Sequence, residues 1–558
     1  MKFSSNWLTH FEKSGFVQSP RYKESIAYFK QFEKKTPYAK MFSIGTSPQG
    51  RLIECLVIAK GNEFTPEKAK KSSKAIVLIQ NGIHAGEIEG KDASMIFLRD
   101  ILITKEKFHL LDHLILLVIP ILSVDGHERI SGYNRPNQNG PKEMGWRTNS
   151  WNLNLNRDYM KADTPEIRSF LSLFKSWLPD FFIDNHTTNG ADYQYHVTYA
   201  LEKFGNINSG LSKWGSEQFL PFLINKVENK GFLTAPYIDL KSETIEEGIV
   251  ETAMPPRLST GYTSVQNRLG LLVETHSLKP YENRVRSTFA MNVSALEFIN
   301  SNSKTLKSLN RKADDASQKL KSIPIKFELT DKANVFKFKG FMPLGQQSNI
   351  TGNEVVQYTN DPIEFEIPIY NDVQIRKFIK IPKAYLIPKE FIQLIEILNL
   401  HGIKSEKVSS TKNILVEEYN FISSTFATKP YEGRLCVDVQ CKSNRKKIQV
   451  QKGSFIIPTN QRTKRVIVNL LEPEAPDSFV SWGFFNAFFE RKEYAEPYIM
   501  EPIAKQMLDS DDSLRNEFLK KLEDEEFKND PKARLEFFYQ RSLFFDINEK
   551  KYPILRVL

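Results

Sequence analysis

Short, continuous runs of apolar residues recur along the first half of the chain, and each run ends in a polar residue. The runs cover residues 75–80, 114–121, 181–184 and 269–274. Runs of this length, bounded by Gly, Asn and Asp, predict strands that are buried on both faces. Segments with helical periodicity lie among them, at 87–104, 164–177, 211–230 and 284–304. This alternation predicts an α/β fold, in which a sheet carries helices on both faces.

The pattern changes near residue 324, where short alternating runs predict a β-rich region. After residue 480 the chain becomes aromatic and then helical. We therefore predict an α/β domain at 1–305 with a helical lead-in, a β-rich accessory domain at 324–475 and a helical C-terminal segment at 476–558. The polar stretch 303–322 is the predicted edge of the first domain. A chain of 558 residues exceeds the size at which a single core keeps growing, which favours several domains.

Composition and charge narrow the class of protein. Hydrophobic residues make up 40% of the chain and charged residues 26%, as in ordinary globular proteins. The net charge of +10 is spread along the chain without a nucleic-acid motif, so we predict no nucleic-acid partner. No apolar run approaches about eighteen residues, so we predict no membrane span. Three cysteines without metal-ligand spacing favour no disulfide framework.

Two histidines and two glutamates follow the predicted strands. His84 and Glu87 follow the run at 75–80, His186 follows the run at 181–184, and Glu274 ends the last run. Ligands of open α/β sheets collect outside the carboxyl ends of the strands. Catalytic zinc takes three nitrogen or oxygen ligands and keeps one open position. A His-x-x-Glu pair alone is weak evidence, but with His186 it predicts a site for one Zn²⁺ per chain.

The order of these residues resembles that of the M14 family of zinc carboxypeptidases, of the carboxypeptidase A type, over about residues 40–300. The matching motifs are His84-x-x-Glu87, Trp146-Arg147, Asn156-Arg157, His186 and Glu274. The resemblance implies a carboxypeptidase-like fold, a mixed, largely parallel twisted sheet flanked by helices. It also implies that the C-terminal amide bond of peptides is hydrolysed by a zinc-bound water that Glu274 activates.

The same resemblance gives roles to the remaining matched residues. It implies that Arg147 polarises the scissile carbonyl and that Asn156 and Arg157 hold the terminal carboxylate of the substrate. Physical chemistry supports these roles, because a fixed cation stabilises a developing oxyanion and a guanidinium binds a carboxylate through two parallel hydrogen bonds. The expected partner is a peptide with a free C-terminal carboxylate.

Some positions depart from the family pattern. Asn154 stands where relatives often carry an Asp that supports the first zinc histidine; its amide oxygen can accept the same N–H, but without charge. No aromatic residue stands where the family has its substrate-binding phenol. Tyr262 is the nearest substitute, or else a packing tyrosine. Arg257 and Arg268 indicate either a pocket for an acidic side chain or surface charges. His276 shares a strand face with Glu274 and is either a supporting residue of the site or, as we expect, an edge histidine with a partner of its own.

The tail segments 401–403, 470–478 and 492–494 resemble a bacterial M14 subgroup with long C-terminal extensions. Most of that subgroup is exported, which implies a periplasmic or secreted protein. The N-terminus lacks a secretory signal pattern, so a cytoplasmic location or a removed signal stays open.

Alternative functions also stay open. They are a zinc amidase or carboxypeptidase acting on peptidoglycan stem peptides, and a peptide-binding protein without turnover. Retention of Glu274 with all three ligands argues against the last. Three roles stay open for the regions after residue 324, and the sequence does not distinguish between them. These regions could shield the cleft, restrict the size of the substrate or mediate homodimer formation.

Overall fold

The computed structural model describes residues 5–242 and 244–558, so residues 1–4 of the predicted first domain lie outside the described part. The strands of the first region are β1 (Ala39–Thr46), β2 (Leu52–Ile58), β3 (Ala75–Gln80), β4 (Leu114–Ile119), β5 (Phe181–Thr188), β6 (Val197–Leu201), β7 (Thr234–Pro236), β8 (Ile249–Val250) and β9 (Leu269–His276). Its helices are α1 (His10–Lys13), α2 (Tyr22–Lys35), α3 (Pro66–Lys71), α4 (Glu89–Leu102), α5 (Val124–Glu128), α6 (Pro165–Trp177), α7 (Ser209–Trp214), α8 (Leu220–Glu228), α9 (Ser259–Val265) and α10 (Tyr281–Lys319).

Eight of these strands form one sheet in the order β1-β2-β4-β3-β5-β9-β6-β7. The central pairs β4/β3, β3/β5 and β5/β9 are parallel, whereas β1/β2, β2/β4 and β6/β9 are antiparallel. Successive side chains of a strand point to opposite faces. Ile76 and Leu78 therefore join the apolar cluster on the α6 face, and Val77 and Ile79 join the cluster on the α4 and α10 face. The predicted mixed, largely parallel sheet flanked by helices is confirmed.

Helix α10 is longer than the sequence pattern predicted. It continues through the polar stretch that we predicted as a domain edge and ends at Lys319, with non-helical backbone angles at Asn302. Leu306, Asn310, Ala313 and Ser317 are buried along this extension. They recur every three or four residues, so the stretch keeps one face on the protein although most of its residues are polar.

The chain after α10 is β-rich and then helical, as predicted. Its strands are β10 (Ser322–Leu329), β11 (Asn334–Gln347), β12 (Glu354–Tyr370), β13 (Val373–Lys380), β14 (Ala384–Ile387), β15 (Glu406–Lys407), β16 (Lys412–Phe426), β17 (Val437–Val450), β18 (Phe455–Pro458) and β19 (Leu555–Val557). Its helices are α11 (Ile392–Leu400), α12 (Lys464–Leu471), α13 (Pro497–Ser510), α14 (Asp512–Lys521), α15 (Glu525–Lys528) and α16 (Pro531–Tyr539). The sequence pattern did not predict β19.

Six of these strands form a second sheet in the order β15-β18-β14-β19-β16-β17. This accessory sheet shares a core with the first region, because one apolar cluster joins Phe170 and Phe182 to Tyr385, Phe421 and Ile467. The division into three domains stays a prediction. Cys55, Cys436 and Cys441 are unpaired, in agreement with the prediction of no disulfide framework. Within residues 5–242 and 244–558, no helix combines the length and apolarity that crossing a bilayer requires.

Candidate metal centre and active site

His84, Glu87 and His186 converge at the carboxyl edge of the first sheet. Oε2 of Glu87 lies 3.1 Å from Nδ1 of His84 and 3.0 Å from Nδ1 of His186. The three ligand atoms lie within 4.8 Å of one another, and all three side chains are buried. The turn between β3 and α4 supplies the first two residues, and β5 supplies the third. The three predicted metal ligands are therefore brought to one point.

The outer nitrogen of each imidazole faces an acceptor. Nε2 of His84 lies 3.0 Å from Oδ1 of Asn154, and Nε2 of His186 lies 2.8 Å from Oδ2 of Asp184. Oδ1 of Asn154 also accepts from the backbone N–H of Asn156, which identifies it as an oxygen. Each Nε2 therefore carries a proton, and in a neutral ring Nδ1 then presents a lone pair. Two such nitrogens facing a carboxylate oxygen fit a cation between them, and a His-His-Glu set is typical of zinc.

The surroundings shift the pKa values of the three candidate ligands in different directions. Burial lowers the pKa of His84 to about 4, so this ring stays neutral. Burial alone would lower the pKa of His186, but the carboxylates of Asp184 and Glu274 raise it above its usual range. Burial likewise opposes the charge on Glu87, yet His84 and Arg135 hold its pKa well below the usual value. Glu87 is therefore ionised.

The supporting carboxylate lies beside the second histidine and not beside the first. The contact between His84 and Asn154 agrees with our prediction for the amide oxygen. Asp184, which sequence reasoning missed, supports His186 and accepts hydrogen bonds from Nε2 of Gln80 at 2.8 Å and Oγ of Ser259 at 2.5 Å. A signal was present, because residues two apart on a strand share a face.

Glu274 lies beside His186, its partner in the parallel register of β5 and β9. Burial raises the pKa of Glu274 to about 8, with partial opposition from the charge of His186. Among the described residues, no side chain donates a hydrogen bond to the Glu274 carboxylate, although its backbone carbonyl accepts from Oγ1 of Thr198. Glu274 therefore binds a proton more readily than an ordinary glutamate does, and it lies next to the candidate metal ligands.

Two arginines contact Oε1 of Glu87, the oxygen that faces away from the histidines. Nη1 of Arg147 lies 3.2 Å from it and Nη2 of Arg135 lies 2.8 Å from it. The side chain of Arg147 is 44% exposed and faces a cavity of about 440 Å³, which Trp146, Thr187, Asn189 and Ser277 also line. Arg147 was predicted, whereas Arg135 belongs to no motif that we recognised.

Asn156 and Arg157 follow Asn154 in a single 3-10 turn. Oδ1 of Asn156 accepts a hydrogen bond from the backbone of Ser259 at 2.9 Å. Arg157 donates from Nη1 to the carbonyl oxygen of Asn156 at 2.7 Å, and from Nε to the hydroxyl of Tyr431 at 2.9 Å. The predicted pair therefore lies next to the support of His84. Tyr431 belongs to the accessory region, and no local motif pointed to it.

Tyr262 lies in the core and not in the cleft. It is 1% exposed and its ring packs against Tyr159 and Phe174. Its hydroxyl accepts from Nε2 of Gln266 at 2.7 Å and lies 3.1 Å from Nδ1 of His401. The predicted role as a substrate-binding phenol is wrong in this structure, because α9 directs the side chain into the apolar cluster. The alternative of a packing tyrosine holds.

The other predicted residues around the pocket are held by partners of their own. Arg268 immediately precedes β9, so it lies at the opposite end of the strand from Glu274, and it pairs with Asp314 at 2.9 Å. Arg257 pairs with the buried Asp477 at 2.8 Å. Nε2 of His276 lies 2.9 Å from the carbonyl oxygen of Ala191, as expected of an edge histidine. Both arginines are thus paired with carboxylates of the protein itself, which does not support the predicted pocket for an acidic side chain.

Comparisons with known proteins relate part of the chain to one family. Residues 25–202 match the family model Peptidase_M14, described as zinc carboxypeptidase. The chain is 25% identical to Carboxypeptidase 2 of Trichophyton rubrum over 453 residues, which is 78% of each chain. It is also 25% identical to Carboxypeptidase 2 of Trichophyton tonsurans over 429 residues, 74% of each chain. Among solved structures, a metallo-carboxypeptidase from Burkholderia cenocepacia has 17% identity and a TM-score of 0.37, covering 50% of this chain and 69% of its own.

Proposed function

Residues 25–202 match the M14 zinc carboxypeptidase family, so the chain is a metallopeptidase, and we propose that it removes single residues from the C-terminus of peptides. The observation that supports this proposal is the convergence of three electron-pair donors, those of His84, Glu87 and His186, beside the carboxylate of Glu274. We propose that the three donors hold one zinc ion.

The chain's own residues have separate parts in this proposal. Zinc, when bound, supplies a Lewis acid that polarises the scissile carbonyl and makes water more acidic. Glu274 takes the proton of the attacking water and passes it to the leaving amine. Arg147 faces the cavity beside the ligands, where its fixed charge stabilises the oxyanion that develops during attack.

Selectivity for the end of a peptide comes from Asn156 and Arg157 in this proposal. Arg157 is placed by its hydrogen bonds to the backbone of Asn156 and to Tyr431. Guanidinium groups bind carboxylates strongly, and a carboxylate beside the scissile bond exists only at the C-terminus of a peptide. Internal peptide bonds would leave this cation without a partner, so endopeptidase cleavage is disfavoured.

The test is mass spectrometry of a mixed peptide pool, with cell-wall stem peptides included, after incubation with the zinc-loaded protein. We expect ladders that shorten by one residue at a time from the C-terminus and disappear after zinc is removed by a chelator. Fragments from internal cleavage would contradict the proposal. Cleavage confined to stem peptides would move the assignment to cell-wall processing, and a pool bound but uncut would favour a binding protein.

A further inference from the structure

The accessory region reaches the candidate active site through one hairpin. Strands β16 and β17 are joined by residues 427–436, whose tip is Tyr431-Glu432-Gly433-Arg434. The backbones of Tyr431 and Arg434 exchange hydrogen bonds at 2.8 and 3.1 Å, and the two residues between them have φ values of 49° and 77°. This is a two-residue loop with both central residues in the left-handed region, as in a type I′ turn.

Glu432 adopts left-handed backbone angles, which cost steric free energy that a glycine at this position would not incur. Its side chain compensates, because Oε2 accepts a hydrogen bond from the backbone N–H of Asn154 at 2.8 Å. Asn154 in turn holds His84. The hairpin tip is therefore attached directly to the residue that supports a candidate metal ligand.

A second set of contacts fixes the tip in place. Arg434 forms two hydrogen bonds with the carboxylate of Asp163, at 2.7 and 2.6 Å. The ring of Tyr431 stacks on Trp482, with ring centroids 5.9 Å apart and planes 11° from parallel. Trp482 is fully buried, whereas Tyr431 is 39% exposed. The phenol is thus held on one face and open to solvent elsewhere.

The hydroxyl of Tyr431 changes which hydrogen-bond donors a ligand meets at Arg157. Nε of Arg157 is already bonded to this hydroxyl and Nη1 is bonded to Asn156. Within the described part of the chain, Nη2 donates no hydrogen bond to the protein. Because the phenol oxygen accepts from Nε, its own proton is directed away from the guanidinium. A carboxylate approaching the edge formed by Nε and Nη2 therefore meets Nη2–H and the phenol O–H.

We propose that Tyr431, delivered by the accessory hairpin, is a substrate-binding residue that donates a hydrogen bond to the C-terminal carboxylate of the peptide held by Arg157. This inference rests on the proposed carboxypeptidase function, since it names a further residue of the same subsite. It gives the accessory region a part in substrate recognition. The opposing explanation is that Tyr431 only fastens Arg157.

The experiment measures peptide binding in the zinc-loaded full chain with the Glu274→Gln substitution, by calorimetry. The probes are N-acetyl tripeptides that differ in their last residue, each as a free acid and as a C-terminal amide. In this background Tyr431→Phe keeps the ring and its stacking on Trp482 and removes only the hydroxyl. We expect it to weaken binding of the free acids about tenfold and to change binding of the amides by less than about twofold. Tyr498→Phe, which alters a tyrosine that is 74% exposed, is the matched control and should leave both unchanged.

The same substitution in the active chain should raise KM about tenfold and leave kcat unchanged. The lost hydrogen bond to the carboxylate stabilises the bound substrate and the transition state equally. Equal losses of affinity with acids and amides, or a loss of kcat alone, would show that Tyr431 has only a structural role. If Tyr431→Phe causes no further loss of affinity for the free acids in a chain that already carries Arg157→Gln, Tyr431 only fastens Arg157 and the proposal is overturned. Unchanged affinity for the free acids would also overturn the proposal. If the active chain shortens no peptide, the proposed function fails, and the binding measurement still decides whether Tyr431 recognises a carboxylate. Unfolding temperatures of each variant check that the fold is kept.

Discussion

Oδ2 of Asp184 lies 2.8 Å from Nε2 of His186, so a carboxylate supports the second histidine of the candidate metal centre. The first histidine, His84, is supported by the neutral amide of Asn154. A carboxylate that accepts the outer N–H makes the ligating nitrogen more basic than an amide does. We therefore expect His186 to be the stronger of the two candidate imidazole ligands.

This asymmetry predicts unequal effects on metal affinity. Asp184→Asn should weaken zinc binding by about 10- to 100-fold, the range seen when such supports are removed, and Asn154→Ala should weaken it less. The measurement is competition with a chelating dye, which needs no enzyme activity. Asp438→Asn, at an exposed ion pair with Lys326, serves as the control. A larger loss in Asn154→Ala than in Asp184→Asn would contradict the asymmetry.

Glu274→Gln should remove essentially all turnover and keep the metal. The amide is nearly isosteric but cannot take a proton from water, and Glu274 is not among the three convergent ligands. Peptide cleavage and the zinc content of the purified variant are measured together. Activity within about threefold of the wild type would remove Glu274 from its proposed role.

Tyr262→Phe should leave peptide cleavage nearly unchanged and lower the free energy of unfolding. The hydroxyl contacts Gln266 and His401 in the core, so its loss leaves buried polar groups unpaired, at a cost of about 1–2 kcal/mol. Urea unfolding measures the stability, and the initial rate measures the activity. A fall in kcat of about tenfold without a loss of stability would restore Tyr262 to substrate binding.

The ion pair between Arg434 and Asp163 should act as a unit that positions the hairpin tip. Arg434→Gln and Asp163→Asn are each expected to raise KM several-fold, and the double variant should be little worse than either, because all three lose the same bidentate contact. A double-mutant cycle on KM measures this coupling. Fully additive effects would indicate that the two residues act independently on the substrate.

A buried histidine away from the metal centre predicts a pH dependence of stability. Burial, together with the nearby charge of Lys91, lowers the pKa of His127 to about 4. Nδ1 of His127 lies 3.2 Å from Glu128, and Nε2 lies 3.1 Å from Nζ of Lys91. Because the unfolded chain takes up the proton near the ordinary histidine pKa, this contribution is complete above about pH 6.5 and is lost as the pH falls toward 4.

Between pH 7 and pH 5 the loss of stability amounts to about 2 kcal/mol, and His127→Gln should remove it. The glutamine amide can accept from Lys91 and donate to Glu128, so the variant keeps both contacts in neutral form. Urea unfolding at pH 7 and pH 5 gives the comparison. An equal loss of stability on acidification in the wild type and in His127→Gln would assign the pH dependence to other groups.

The site residues that could be predicted from sequence are those at or just after the carboxyl ends of buried strands. Continuous apolar runs identify β3, β5 and β9, and their polar ends are His84, His186 and Glu274. Arg135 and Tyr431 could not be found in this way, because they reach the site from loops with no periodic pattern. The contact between Arg157 and Tyr431 spans 274 residues of sequence. Tyr262 was misassigned because closeness in sequence to Glu274 does not determine which face of α9 it occupies.

The position of β19 has a consequence for how the enzyme is assembled during translation. Leu555–Val557 lies between β14 and β16 and pairs with both strands, and β16 carries one side of the hairpin that ends in Tyr431. A ribosome has produced all three candidate metal ligands and Glu274 long before it reaches residue 557. The accessory sheet closes only after that point. A nascent chain therefore contains the candidate metal ligands before β19 can join β14 and β16, so we expect the hairpin that carries Tyr431 to be fixed in place only after residue 557 has been synthesised.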